Sequence, residues 1–307
     1  MYYQSNLEQV FSLLEEILIL NAQEESFKWL KDQQEHAFSD KSDFIYFKIF
    51  SSIPRYFTKD QLQLTPDLLE RIKILRKNWY LSHWSVDQAA RIFLLLMITN
   101  TRQKDFKKIF LKLYATANIQ ELVTLYQSLP LLPAPQDFIL QAAEGIRSNM
   151  TSVFNAIALY NQYPFNFFNQ EAWNQMILKA LFIGADISHI VGINIRANPT
   201  LASMLIDYAF ERISAKRPVK SDLWYLVGIS TMNNISALTQ ILKNPNREIQ
   251  QGAALACHYC PLPEAKENLI QYSHLQENIK PNICEIDNHF NLSTINNLTR
   301  GEDKYVY

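Results

Sequence analysis

Glycine is nearly missing from this chain, with 6 among 307 residues. Hairpins, bulges and phosphate-cradling loops draw on glycine's access to positive φ, so its scarcity points to helices joined by short turns. Cysteine is rarer still: Cys257, Cys260 and Cys284 are an odd and small set, which excludes a disulfide framework and fits a reducing compartment. No basic excess exists either, because 29 Lys and Arg face 30 Asp and Glu for a net charge of -1. Phosphate contacts dominate nucleic-acid affinity, so that class of partner is set aside. The apolar run from Ile92 to Ile98 is far short of the roughly 20 residues that span a bilayer. The opening MYYQSNLEQV has no basic segment leading into an apolar one, so it does not read as a signal peptide. These absences predict a soluble, cytoplasmic protein.

What is present is a normal globular balance, with 48% hydrophobic, 12% aromatic and 19% charged residues. A chain this long buries roughly three-quarters of its unfolded surface. Leu7, Val10, Phe11, Leu14, Ile17 and Leu18 recur at the spacing of one helical face, and Ser5 with Glu8 has the spacing of a capping box. Thr65-Pro66-Asp67, Ser85 with Gln88, Asn198-Pro199 and Asn244-Pro245 are further start signals. Together they predict helices near 4–21, 23–36, 42–52, 66–80, 85–98, 103–115, 118–128, 136–146, 149–161, 169–183, 199–216, 220–228, 231–243, 246–259 and 263–277. The stretch ISALTQILKNPNREIQQGAALACHYCP reads as a HEAT-type helix pair, its Ala253 and Ala254 small enough for close helix approach. The expected fold is all-α, a right-handed superhelix of antiparallel helix pairs, a HEAT-like α-solenoid. Three prolines between Leu129 and Pro135 mark the best internal boundary. This gives an N-terminal lobe over 1–128, a C-terminal lobe over 136–277 and a tail over 278–307, or one continuous solenoid bent at the prolines.

The familiar catalytic and metal signatures are missing from the sequence. No histidine has a glutamate three residues before it, and HExxH, a GKS or GKT phosphate loop and GxSxG do not occur. Cys257 and Cys260 form CxxC, which with Cys284 and His289 has the makings of a zinc set. They lie at the C-terminal end of a helix, opposite to the end where the dipole activates a thiol, and read as ordinary, partly buried cysteines. His189 reads as a turn residue, and the run from Tyr163 to Phe168 as core beneath a loop rather than the wall of a groove. No metal and no cofactor is expected.

The most informative region is 169–228. Projected at 100° per residue, Asn174 falls on the apolar arc of its helix, and Arg212 falls among Leu201, Leu205 and Tyr208. A buried amide without partners costs about 1–3 kcal/mol, so these residues demand a role. One role is a ligand-binding set of Asn174, Lys179, Arg196, Asn198, Asp207, Tyr208, Glu211 and Arg212. The other is a buried network that fixes helix register.

Four stretches of this region, WNQMILKALFIG (173–184), VGINIRANP (191–199), LIDYAFER (205–212) and DLWYLVG (222–228), resemble the EboA family. The resemblance rests on about sixty residues, 169–228, and on the spacing of RANP, DYxxER and Trp224. Phe210 departs from the pattern, which has a polar residue there, often histidine, so no histidine-dependent activity is implied. The resemblance implies a product of the bacterial Ebo operon that serves metabolite traffic. Such operons are linked to moving a secondary-metabolite precursor across the inner membrane, as for a cyanobacterial sunscreen pigment. Their other products look like a prenyltransferase and several metal- or sugar-type enzymes. No catalytic residues come with the resemblance.

The expected function is therefore non-catalytic: a binding or adaptor protein that engages one of those co-encoded enzymes or an apolar metabolite, in the cytoplasm or peripheral to the inner membrane. The alternative is an enzyme of unassigned type, with Asp207 or Glu211 as base and Lys179 or Arg212 as anion clamp. Attachment to a membrane through the first helix ranks last, because that helix is too acidic for anionic lipid.

Overall fold

The computed structural model describes residues 2–39, 42–231 and 235–276. Among them there is no strand; the regular structure is 17 α-helices and four short 3-10 turns, so the all-α expectation holds. The residues divide into two compact units. The first runs to Ala185 and includes 190–192; the second comprises 186–189 and the chain from Ile193 onward. The proline-rich stretch 129–135 lies inside the first unit. The tail from 277, with Cys284 and His289, and the Ser5 side chain of the first capping box lie outside the described residues.

The first unit holds α1 (Tyr2–Asn21), α2 (Glu24–Ser39), α3 (Phe44–Ser52), α4 (Pro66–Leu75), α5 (Val86–Thr101), α6 (Phe106–Thr116), α7 (Ile119–Ser128), α8 (Ile139–Arg147), α9 (Thr151–Ala158), α10 (Tyr163–Phe167) and α11 (Gln170–Ile183). Helix α5 is its axis. It is apolar on nearly every side, as a helix surrounded by others must be, and α1 and α7 pack on it. The stripe expected on α1 faces inward: Val10, Leu14, Ile17 and Leu18 are fully buried, and Phe11 stacks on Phe93 of α5 at 4.4 Å. Two charges enter this core together. Arg91 donates to Asp87 at 2.7 Å and to the Phe50 carbonyl at 3.2 Å, so the guanidinium is paired and hydrogen-bonded where an isolated charge would be prohibitive. Removing one partner of such a pair strands the other.

The capping chemistry follows the sequence at most starts. Thr65 accepts from Leu68 N at 3.3 Å, Gln88 accepts from Ser85 N at 2.9 Å, and Asn198 accepts from Leu201 N at 2.9 Å. At Asn244-Pro245 the reading needs correction. Asn244 accepts from Asn246 N in a local turn, and Asn246 is the residue that caps the helix, accepting from Glu248 N at 2.9 Å. A short antiparallel pairing, with Leu62 N bonded to Trp84 O and Val86 N to Asp60 O, pins the chain that leads into α5.

The second unit holds α12 (Pro199–Ser214), α13 (Ser221–Ser230), α14 (Ser236–Leu242), α15 (Arg247–Tyr259), α16 (Pro263–Gln271) and α17 (Ser273–Gln276). Helix α15 packs on α13, α14 and α16. Small residues allow the approach, since Ala253, Ala254 and Ala256 are fully buried. At Gly252 an added Cβ would lie 2.0 Å from Cε2 of Trp224, and at Gly228 it would lie 2.4 Å from the Ala256 carbonyl oxygen. Both glycines are required by contact, not by backbone angle.

Gly252→Ala therefore overpacks this interface. Its intrinsic helix gain of about 1 kcal/mol is outweighed by strain, and a net loss of about 1–3 kcal/mol is expected in urea titration. In the first unit, Asp43 accepts from Lys112 at 3.0 Å and Arg102 at 3.2 Å. The Lys112 hydrogen bond, ahead of the opposing effect of burial, holds the Asp43 carboxyl below its ordinary value. A depressed carboxyl contributes stability above its unfolded value, near pH 4, and loses it as pH falls through the lower folded value. Thermal melts of the native chain and Asp43→Asn should thus differ at pH 6 and converge as the pH falls well below the ordinary carboxylate range.

Candidate functional site

The eight residues singled out in 169–228 divide between the units. Asn174 and Lys179 stand on α11 in the first, and the other six belong to the second. Asn174 is buried, 2% exposed, as its place on the apolar arc requires. Lys179 donates to the Ser148 carbonyl at 2.7 Å and lies 5.5 Å from the Phe154 ring, so it closes the C-terminal end of α8. Burial lowers its pKa from the ordinary lysine value.

In the second unit, Asn198 caps α12 and also donates to the Arg196 carbonyl at 3.1 Å. Arg196 is half-buried, and that burial lowers its pKa. Arg212 donates to the Pro218 carbonyl at 2.9 Å and to the Tyr208 hydroxyl at 3.2 Å, with its guanidinium 5.7 Å from the Tyr208 ring. It thereby ties the loop after α12 back to the helix. Asp207 and Glu211 are exposed. His189 lies in a turn 3.5 Å from Asp186, whose carboxylate also accepts from Ser188. Cys257 and Cys260 are both free and buried, and burial pushes the Cys257 thiol up to about 12. Among the described residues, no group of three or more His, Cys, Asp or Glu is placed to hold a metal ion.

A recess that sequence reasoning did not find lies wholly within the first unit. It is small, with a cavity volume of about 10 Å³. That is room for about one water molecule and well below the size of a formed small-ligand site. Three segments build it. Helix α4 stops at Leu75, and the chain turns through Asn78 at φ 67 into Trp79, Tyr80, His83 and Trp84. Helix α9 stops at Ala158, and the chain turns through Tyr160 at φ 54. Gln127 and Pro130 come from the end of α7 and the turn beyond it. The predicted helices 66–80 and 149–161 ran straight through both turns, and this is the correction the structure makes to them.

Left-handed backbone costs an ordinary L-residue about 1–2 kcal/mol. Asparagine tolerates it, but a tyrosine there is an outlier that its surroundings must enforce. The enforcement is visible. The Tyr160 ring stacks on His83 at 4.7 Å and meets Tyr80 edge-on at 6.0 Å. Asn161, buried beside it, donates to the carbonyls of Tyr126 at 3.0 Å and Ala156 at 2.9 Å, and accepts from Tyr163 N at 2.9 Å. Arg76 reaches across to the Pro130 carbonyl at 2.6 Å and fixes the opposite wall. Tyr163, from the aromatic run expected to be core, is fully buried with its hydroxyl on the Pro135 carbonyl at 2.6 Å.

Among the residues that line the recess, Trp79 has its indole nitrogen and Gln127 its side-chain carbonyl oxygen buried with no hydrogen-bond partner within the protein. Their residues are 8% and 9% exposed. Of the lining side chains none is a carboxylate, a lysine or an arginine. The lining is aromatic and uncharged.

Asn161 is the keystone of the 156–163 turn. Asn161→Ala removes three hydrogen bonds and leaves buried backbone groups unpaired, so a loss of about 2–4 kcal/mol is expected in denaturant titration.

No curated protein and no solved structure matches this chain. Residues 10–228, a span that includes the whole recess and the four stretches named above, match the family model described as metabolite traffic protein EboA. With well over half of its length matched, the chain belongs to the EboA family.

Proposed function

We propose that this chain is a non-catalytic binding protein of metabolite traffic, and that it holds an apolar, ring-bearing part of its cargo in the aromatic recess of the first unit. The observation that carries the reading is the recess itself. Two helices end early, at left-handed Asn78 and Tyr160, and aromatic side chains line the gap between them. Strained backbone that its neighbours hold in place is concentrated at sites of function. Aromatic walls with a few placed polar atoms are the composition of a small-molecule site, and because the recess as it stands has room for about one water, the rim formed by His83 and Tyr160 must open to admit a ring.

The family description supports the traffic role. The partners this reading assigns are co-encoded enzymes, the prenyltransferase-like one foremost, which would deliver or receive the cargo on the cytoplasmic side of the inner membrane. Among the described residues no helix is long and apolar enough to cross a membrane. The finer architecture we infer is a HEAT-like, right-handed stacking of antiparallel pairs. The packing of α15 on α13, α14 and α16 within the second unit supports it. Arg196, Asn198, Asp207, Tyr208, Glu211 and Arg212 of the second unit enter this reading as a second contact surface for cargo or partner, with Arg196 its half-buried cation. As a catalytic set it is less well supported, because Asp207 and Glu211 are exposed and a general base of raised pKa needs a closed site.

Tryptophan fluorescence of the full chain, titrated with naphthalene as a plain apolar ring, tests the reading, since Trp79 and Trp84 line the recess. Saturable quenching is expected, and Tyr160→Ala should weaken it about tenfold or more through the lost stacking surface. Asp207→Asn and Glu211→Gln should leave it unchanged. Quenching that survives Tyr160→Ala, or none at all, would contradict the proposal.

A further inference from the structure

Where α3 and α6 begin, the first unit gathers positive charge around one carboxylate, in a chain whose net charge is -1. Asp43 directly precedes α3 and accepts from Lys112 at 3.0 Å and from Arg102 at 3.2 Å. Arg102 also pairs with Asp105 at 2.9 Å. Lys108 stands close enough for its charge to act on the Asp43 carboxyl as well. Lys104 is exposed in the turn that Asp105 N and Arg102 O close at 2.9 Å, and Lys48 is exposed one turn into α3. Five cations, Lys48, Arg102, Lys104, Lys108 and Lys112, thus meet two carboxylates, Asp43 and Asp105. Among the described residues Lys104 and Lys108 form no ion pair. Phe44, the residue after Asp43, is 73% exposed beside them.

From this juxtaposition we infer that the face carrying Phe44, Lys48, Lys104, Lys108 and Lys112 docks on an anionic lipid surface. Interfacial binding uses this pair of features, cations against headgroup phosphates and an aromatic ring in the acyl boundary. Water gives an exposed phenylalanine nothing, whereas the boundary removes its apolar surface from water. A purely acidic protein segment satisfies the cations and offers Phe44 no place to enter; a bilayer satisfies both. The excess must be local to act, because salt screens charges more than about 8–10 Å away, and the rest of the chain supplies no net attraction. Asp43 holds Arg102 and Lys112 together on the face, where without it they would repel each other. Helix α1 has no such character, since Glu8, Glu15 and Glu16 stand on it. This face is separate from the recess, and the inference does not depend on cargo binding there.

Co-sedimentation of the full chain with vesicles tests it. Vesicles of phosphatidylcholine with about one-third phosphatidylglycerol should bind the chain, pure phosphatidylcholine should not, and about 0.5 M salt should release it. Lys104→Glu combined with Lys108→Glu should weaken binding about tenfold or more. Phe44→Ser should weaken it about fivefold or more through the lost apolar surface. These side chains are exposed, so the variants should melt with the native chain. Lys243→Glu combined with Lys266→Glu changes the net charge equally, on exposed residues of the second unit, and should leave binding unchanged. The emission added by Phe44→Trp should shift to the blue on the anionic vesicles and stay in place with polyglutamate. No sedimentation with the anionic vesicles, equal binding to the neutral ones, or equal losses from the two pairs of lysine variants overturns the inference. So does polyglutamate binding that matches the vesicles and is indifferent to Phe44→Ser, which would make the partner an acidic protein.

Discussion

Backbone strain at Tyr160 is the constraint on which the rest of the first unit's site depends. An L-residue with a bulky side chain avoids the left-handed region, yet Tyr160 stands there at φ 54. It is kept in place by the His83 ring on one side and by the three hydrogen bonds of Asn161 on the other. Were Tyr160 helical, α9 would run on and fill the space that is now the recess. The same logic holds at Asn78, where the chain leaves α4 and delivers Trp79, Tyr80, His83 and Trp84 in quick succession. Helix ends, not helix faces, build this site.

The surrounding packing makes those ends rigid. Helix α5 is buried along most of its length and carries its own internal charge pair, Asp87 with Arg91, tied to the end of α3 through the Phe50 carbonyl. The antiparallel pairing of 60–62 with 84–86 holds Trp84 from its backbone. Such a frame fixes the two turns that edge the recess. In the second unit the device differs. Close approach of α13 and α15 rests on Gly228, Gly252 and three alanines, and the polar residues on α12 secure loops.

The helices themselves were legible in the sequence because apolar spacing and caps are local signals. The α1 stripe, the Thr65 and Asn198 caps and the buried Asn174 all follow from periodicity alone. The turns that make the recess were not, for a physical reason. The residues from Arg76 to Tyr80 and from Leu159 to Asn161 have no glycine and no proline, the usual marks of positive φ or of a helix end. Tertiary contacts, the His83 stack and the Asn161 clasp, override local propensity there. Asn78 and Asn161 were the available hints, since asparagine tolerates the left-handed region and turns the chain with its own side chain. In 169–228, periodicity flagged Arg212 correctly as a cation on an apolar arc, but a helical projection cannot show that a carbonyl six residues on, at Pro218, receives it.

Hydrogen–deuterium exchange of the full chain, with and without saturating naphthalene, addresses the central claim most directly, because it reports every backbone segment at once. The account predicts added protection in the segments 76–84 and 156–162, which flank the recess, and little change elsewhere. Protection confined to 193–228, or spread evenly with no preference for those two turns, would contradict it.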